Sequence, residues 1–277
     1  MQNNTDLKVI RVPVPTPTLL PHTTTNCYLI GNDQESILVD AGYDIEETRT
    51  LLNRIIQDNG LASPKRIVLT HYHPDHAPGV KQLVEWNAGI YCHSDEQKGI
   101  LEAISPLSQL SLLKDGDTMT VANEDILVIH GPGHTPGHLT LYIPSSRILI
   151  AGDNIVAEGT TWIGPPDGDM TDYIQTLKRM KELKLEKIGP GHGEWVENPY
   201  EQIDFVVNRR LQRENQIKAL LEEHKSLTSE RLTEMIYADT IHPSVFKVAK
   251  LTTEAHLLKL IKEGAVTQDN SQYSINI

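Results

Sequence analysis

A chain of 277 residues with 39% hydrophobic and 22% charged side chains has the make-up of a soluble globular protein, with room for one large domain or for one plus a small one. Its formal net charge of −12, from 25 Lys plus Arg against 37 Asp plus Glu, resists non-specific contact with nucleic acid and membrane surfaces, though it leaves room for a local basic patch. No run is apolar enough to span a bilayer, the polar start Met1 to Asp6 lacks a signal-peptide core, and Cys27 and Cys92 are too few for a disulfide framework, so a cytoplasmic location and two small buried thiols are expected.

Along the chain, Asn26 to Ile30 and Ser36 to Val39 read as strands joined by the turn signal Gly31-Asn32-Asp33. Asp40-Ala41-Gly42 follows the second strand. Asp44 is placed to cap a helix that runs to about Asn59, where Gly60 stops it. The apolar run Ile67-Val68-Leu69-Thr70 then leads into His71-Tyr72-His73-Pro74-Asp75-His76, four potential metal ligands within six residues at the end of a strand. A strand end is rigid, so a turn there can aim several side chains into one cavity, and imidazole with carboxylate suits zinc as well as iron or manganese. Val80, Leu83 and Val84 are at helical spacing just after it.

Residues 117–153 are rich in strands. Ile126-Leu127-Val128-Ile129 runs into Gly131-Pro132-Gly133-His134-Thr135-Pro136-Gly137-His138, and Ile148 to Ala151 ends on Gly152-Asp153. Asp169 or Thr171 can cap a helix with Tyr173, Leu177 and Met180 on one face, and Gly189-Pro190-Gly191-His192-Gly193 is a short turn carrying one histidine. From Tyr200 the composition changes to a long helix reaching about Glu223, with Phe205, Leu211, Ile217, Leu220 and Leu221 among its apolar positions. A second helix opens at Thr228-Ser229-Glu230 and ends near Tyr237; a third opens at Pro243-Ser244, with Val245, Val248, Leu251 and Leu258 apolar, and closes at Gly264; Ala265 to Ile277 reads as a hairpin. Helix, helix, helix, wing resembles a winged-helix module. We therefore expect two domains, 1–199 and 200–277, with no disordered linker between them.

His-x-His-x-Asp-His, then Gly-His-Thr, then Gly-Asp, then Gly-His-Gly resembles the pattern of the metallo-β-lactamase superfamily, with Asp40-Ala41-Gly42 similar to its first motif. The resemblance covers roughly residues 8 to 195. It implies an α/β fold of four layers, αββα, where periodicity alone shows only mixed α/β. With the winged helix it is similar to the β-lactamase-like family that includes a single-strand-specific endoribonuclease. Its core is similar to acyl-carrier-protein thioesterases, which Glu158-Gly159-Thr160-Thr161 also fits.

The resemblance implies that His71, His73 and His134 hold one divalent metal ion, that Asp75, His76 and His192 hold a second, and that Asp153 bridges them. The residues point the same way, since seven such ligands suit two ions better than one, and a shared water between them, deprotonated near neutral pH, is the expected nucleophile. Asp75 is expected to serve as ligand and proton shuttle. Asp40 and His138 read as supports that orient ligands, His93 as structural or at the pocket edge, and His22, His130, His224, His242 and His256 as ordinary. Thr161, Trp162 and Tyr173 either line the substrate pocket or pack under a loop. Arg209, Arg210 and Arg213 read either as an anion clamp or as helix-surface pairing with Glu214 or Glu201 and packing between domains, the second being favoured.

The position of Asp153 narrows the function. Many zinc β-lactamases carry a cysteine there, whereas thioesterases, lactonases and nucleases of the superfamily carry an aspartate, so antibiotic hydrolysis is not expected. A dinuclear metal hydrolase of an acyl ester, thioester or lactone leads, with zinc ahead of iron or manganese. A single-stranded RNA endoribonuclease is the alternative. An iron-dependent oxygenase and a non-catalytic nucleic-acid-binding protein are more remote. The near-neutral balance of residues 201–277 fits a lid or a homodimer contact better than a nucleic-acid guide.

Overall fold

The computed structural model describes residues 7–17, 23–237 and 241–276. His22 and the Met1–Asp6 segment lie outside the described residues. The chain divides into two compact units: Met1–Gly131 with Gly137–Gly159 and Leu183–Pro199, and Pro132–Pro136 with Thr160–Glu182 and Tyr200–Ile277.

The first unit contains two sheets. β1 (Lys8–Pro15), β2 (Thr24–Gly31), β3 (Ser36–Val39), β4 (Arg66–Val68), β5 (Gly89–His93) and β6 (Ser111–Leu113) lie side by side in chain order. The first three are antiparallel, and β3 through β6 are parallel. The second sheet has the order β11-β10-β9-β8-β7, formed by β7 (Thr118–Val121), β8 (Glu124–His130), β9 (Leu139–Ile143), β10 (Ile148–Gly152) and β11 (Lys187–Pro190). Only the β10–β11 pair is parallel in it.

Strand side chains alternate between faces, and the two cores follow that alternation. Leu29, Leu38 and Ile67 point to one side of the first sheet, where α1 (Glu46–Asp58) contributes Leu52, the 3₁₀ helix Pro78–Trp86 contributes Val80 and Leu83, and α2 (Gln97–Ile104) contributes Ile100. Tyr28, Ile30, Ile37, Val39 and Val68 point to the other side, against Val128, Leu141 and Ile150 of the second sheet. Every residue of β9 and β10 is buried, so the far face of the second sheet is covered as well. Helices outside stacked sheets are the layering expected from the sequence.

The expected Asp44 cap is not made. Ile45 occupies the cap position of α1, and the Asp44 carboxylate instead binds Lys81 Nζ at 2.8 Å and Gln82 Nε2 at 2.7 Å. A cation and an amide outcompete the helix N-terminus for one carboxylate. Val84 is exposed, because the turn it sits on is 3₁₀ and shifts the apolar stripe. Both cysteines are buried; burial raises the Cys27 thiol well above its ordinary range and pushes Cys92 up to about 12, so both are inert.

The second unit contains α3 (Met170–Lys181), α4 (Pro199–His224), α5 (Ser229–Tyr237), α6 (Phe246–Lys262) and a small sheet β12-β14-β13 made by Leu227–Thr228, Gln272–Ile275 and Val266–Asp269. Asp169 caps α3, accepting from Thr171 N and Asp172 N at 2.8 and 3.1 Å, and Tyr173, Leu177 and Met180 are buried. Ile217, Leu221, Leu232, Ile236, Leu257, Leu260, Val266 and Tyr273 form the core of the helix-and-wing part. Phe205, Leu211 and Leu258, apolar by sequence, are exposed. No helix of the described residues is long and apolar enough to cross a membrane.

Glu214 of α4 is buried against Lys259 Nζ at 2.8 Å and His256 Nδ1 at 3.4 Å, both on α6. Burial pushes its carboxyl up, but His256 and Lys259 outweigh burial and hold it below its ordinary value. A depressed folded value stabilises fully above the unfolded value of about 4.3 and is lost as pH falls through the folded one. Glu214→Gln leaves the Lys259 charge with only the more exposed Glu263, so we expect a loss of about 3 kcal/mol at pH 7 and a shallower decline on acidification than in the parent. Urea unfolding at pH 7 and pH 4 checks both; identical midpoints at pH 7 would show that the pair contributes nothing.

Candidate metal centre

Parallel strands end side by side. β3 and β4 are parallel neighbours, so Asp40, which follows β3, lies beside the loop His71–His76 that follows β4. β10 and β11 are parallel neighbours too, so Asp153 and His192, which follow them, come together. The sheet topology thus gathers residues from four distant stretches of sequence.

Asp40 organises the loop. It has φ +59, a left-handed conformation that aspartate tolerates better than most residues, and its buried carboxylate accepts from Thr70 N at 2.8 Å, Thr70 Oγ1 at 2.9 Å and His76 Nδ1 at 2.8 Å. These bonds set the imidazole tautomers. A carboxylate only accepts, so His76 Nδ1 holds its proton, and Nε2 is the nitrogen that yields its own to a metal. The Thr70 hydroxyl donates to Asp40, so it accepts from His71 Nδ1 at 2.9 Å, and His71 Nε2 is bare. His192 Nδ1 donates to the Thr24 carbonyl at 2.8 Å, so its Nε2 is likewise the nitrogen turned to the site. His138 is the opposite case. Its Nδ1 accepts from Asn154 Nδ2 at 3.0 Å, an amide whose orientation is fixed by donation to Gly131 O at 2.9 Å, so the His138 proton sits on Nε2. His138 stacks on His71 with ring centres 5.1 Å apart, a supporting place and not a ligating one.

These Nε2 atoms converge on carboxylates. Asp153 Oδ1 is 3.3 Å from His76 Nε2 and 3.4 Å from His192 Nε2, and Asp75 Oδ2 is 3.4 Å from His192 Nε2 and 3.7 Å from His76 Nε2. Donor atoms of His71, His76 and Asp153 lie within 4.8 Å of one another, as do those of Asp75, His76 and His192. His71 Nε2 is 3.0 Å from His73 Nδ1, two nitrogens that repel unless a proton or a cation sits between them. Gly191 closes the site from behind: a Cβ there would fall 1.9 Å from Asp153 Oδ1.

These residues fit divalent metal. His76 Nε2 is buried with no hydrogen-bond partner among the described residues, a polar atom whose burial is costly unless something binds it. Burial pushes the His76 pKa down, yet Asp153, Asp75 and Asp40 outweigh it and hold it well above its ordinary value. Burial pushes Asp153 up, and His192 and His76 hold it well below the carboxylate range. Anionic oxygens around buried imidazoles make a place for positive charge.

His93, Asp95 and His130 form a further group of potential donors. The His93 and His130 rings are parallel, 4.1 Å apart with 9° between their planes. A metal binds in the plane of an imidazole, so two parallel rings cannot share an ion without turning. Burial first, then the neighbouring His130, lowers the His93 pKa.

His134 lies in the second unit, where its Nδ1 donates to the Trp162 carbonyl at 2.9 Å; its Nε2 is bare by the same logic. Thr161 is buried, Trp162 half-buried, and Tyr173 fully buried with its backbone 2.3 Å from where a Gly133 Cβ would be. Arg210 is buried, donates to the Thr161 carbonyl and lies 5.7 Å from the Tyr173 ring centre; Arg213 binds Gln216 and lies over Tyr237; Arg209 is exposed.

Sequence reasoning missed several supports. Thr70 and Asn154 each adjoin a motif residue, which is a usable signal. Thr25, whose Oγ1 donates to Asp75 Oδ2 at 2.8 Å, and Glu96, which accepts from Tyr72 N and Gly137 N at 3.1 and 2.8 Å, have no signal near them.

Residues 20–192 match the family model of the metallo-beta-lactamase superfamily, and residues 228–274 match that of the beta-lactamase associated winged helix domain. A beta-lactamase-like protein 2 homolog of Caenorhabditis elegans is 31% identical over 250 residues, 87% of this chain and 80% of its own length. An atrochrysone carboxyl ACP thioesterase of Cryptosporiopsis is 25% identical over 277 residues, 94% of this chain and 81% of its own. Among solved structures, a metallo-beta-lactamase family protein of Thermus thermophilus superimposes with a TM-score of 0.80 at 23% identity, over 98% of this chain and 99% of that one, a likeness of fold.

Proposed function

From a chain that belongs to the metallo-β-lactamase superfamily and carries its associated winged helix domain, we propose a dinuclear metal hydrolase acting on an acyl thioester, with residues 1–199 as catalytic domain and 200–277 as the appended module. The observation that carries it is that donor atoms of His71, His76 and Asp153 lie within 4.8 Å of one another, which puts the Asp153 carboxylate beside one histidine of each proposed set. A carboxylate so placed suits a bridge between two ions. His71, His73 and His134 are the ligands of one ion, and Asp75, His76 and His192 those of the other.

Bound zinc would supply an acidified water and positive charge for the oxygen of the attacked carbonyl. Asp75, steadied by Thr25 Oγ1, takes up the proton released on attack and returns it to the leaving thiol. Asp40 and Thr70 keep His71 and His76 in the ligating tautomer. The thioester is favoured by the thioesterases among the relatives and by the nearly balanced charge of the C-terminal module.

The test is a side-by-side turnover assay of zinc-loaded protein on acyl thioesters and lactones in one arm and labelled single-stranded RNA in the other, with Asp75→Ala as control. Thioester turnover that the variant lacks, with RNA intact, is expected. RNA cleavage lost in the variant, with thioesters untouched, would replace this reading with an endoribonuclease.

A further inference from the structure

The loop Pro132–Pro136 leaves and re-enters the first unit, yet it clusters with the helices of the second. Its residues are gripped one by one. Thr176 Oγ1 of α3 donates to Pro132 O at 2.8 Å, Asp169 N donates to Gly133 O at 2.9 Å, and Trp162 O accepts from His134 Nδ1 at 2.9 Å. Gly133, at φ +132, has no room for a Cβ against the Tyr173 backbone. The gripping segment, 160–182, is itself held by the C-terminal helices. Arg210 of α4 donates to Thr161 O and faces the Tyr173 ring, and Lys262 of α6 pairs with Asp169.

Arg210 is the informative residue. It is 6% exposed and, among the described residues, makes no ion pair. Burying a guanidinium without a carboxylate is costly, so its place needs a reason other than stability. Its donation fixes the Thr161 carbonyl, one peptide before the carbonyl that orients His134. A metal ligand must be held to about 0.5 Å and 10–20° of its working geometry, and a carbonyl partner that drifts takes the imidazole with it. We infer that the C-terminal module positions the His134 loop, with Arg210 as a positioning residue of the metal centre and Lys262 as a weaker second clamp. The inference rests on the reading of His134 as a ligand. It gives the appended module a task in hydrolysis that needs no nucleic acid.

The experiment follows cobalt(II) in the full-length protein, through its visible spectrum and by competition with a chelator. Arg210→Met keeps much of the buried volume and removes the donor. We expect an altered spectrum, about 10-fold weaker retention of one of the two ions, and a fall in kcat with KM little changed. Arg210→Lys, which keeps the charge without the planar fork, should restore part of each. Lys262→Met should shift the spectrum in the same direction by less, and as an exposed residue it decides the matter if Arg210→Met does not fold. Parent-like spectrum and retention in Arg210→Met, or in Lys262→Met where that variant decides, would overturn the inference. His134→Ala separates the two ideas: unchanged cobalt binding there sinks the ligand assignment itself, whereas a lost ion there beside an unaffected Arg210→Met sinks only the positioning role.

Discussion

Asp75→Ala is expected to lose at least about 10³-fold in turnover while keeping its fold. Asp75 lies on the loop after β4, half-buried, and no core contact depends on it. Its carboxylate is offered to His192 at 3.4 Å and steadied by Thr25, so on the proposed reading the variant would remove a metal ligand and the proton carrier at once. Metal content should drop from two ions toward one. The metal-free protein should keep a melt within a few degrees of the parent, because the lost attraction to His76 and the lost Thr25 bond are offset by relief of repulsion from Asp153 and Asp40. Turnover of a thioester, zinc by elemental analysis and a thermal melt of the metal-free form are the three measurements. Full turnover would remove Asp75 from the site, and a melt lowered by many degrees would mean that it holds the fold.

The parts of this molecule that repeat locally were legible in the sequence. Continuous apolar runs on either side of a turn signal marked β2 and β3, glycine and proline marked the turns, and the order helix, helix, helix, hairpin at the end of the chain matches α4 to α6 and the wing. The motif residues were legible because strand ends are where side chains can be aimed, and β3, β4, β8, β10 and β11 lead into them. What was not legible depends on register and on competition. Thr25 meets Asp75 only because β2, β3 and β4 are adjacent in one sheet. Asp44 had two partners available, the N-terminus of α1 and Lys81 with Gln82, and spacing alone gives no means of ranking them. The capture of 132–136 and 160–182 by the C-terminal helices is set by single polar contacts between segments far apart in sequence, such as Arg210 to Thr161, which leave no periodic trace.

Asp40 lies outside the proposed ligand set but holds His76 and Thr70, and two substitutions separate its roles. Asp40→Ala leaves Thr70 N, Thr70 Oγ1 and His76 Nδ1 buried without their acceptor and puts a Cβ-bearing residue with no polar compensation at φ +59. That variant should lose roughly 3 kcal/mol or more of stability and most of its metal, so it cannot distinguish a folding role from a chemical one. Asp40→Asn can. Asparagine tolerates the left-handed conformation, and its Oδ1 still accepts from Thr70 N. Its amide nitrogen then stands where Oδ2 was, facing His76 Nδ1, and it can only donate. His76 answers by moving its proton to Nε2, the atom that faces Asp153 at 3.3 Å, and a protonated nitrogen cannot ligate. The expected result is a folded protein whose zinc affinity and turnover fall about 10- to 100-fold. In the metal-free form, at a pH above the His76 pKa, nitrogen NMR should show an Nε2–H tautomer, where the neutral ring of the parent shows Nδ1–H. If Asp40→Asn keeps the parent tautomer and the parent zinc affinity, then the proton on His76 is set by something other than the Asp40 carboxylate, and the tautomer logic of this centre fails at its first step.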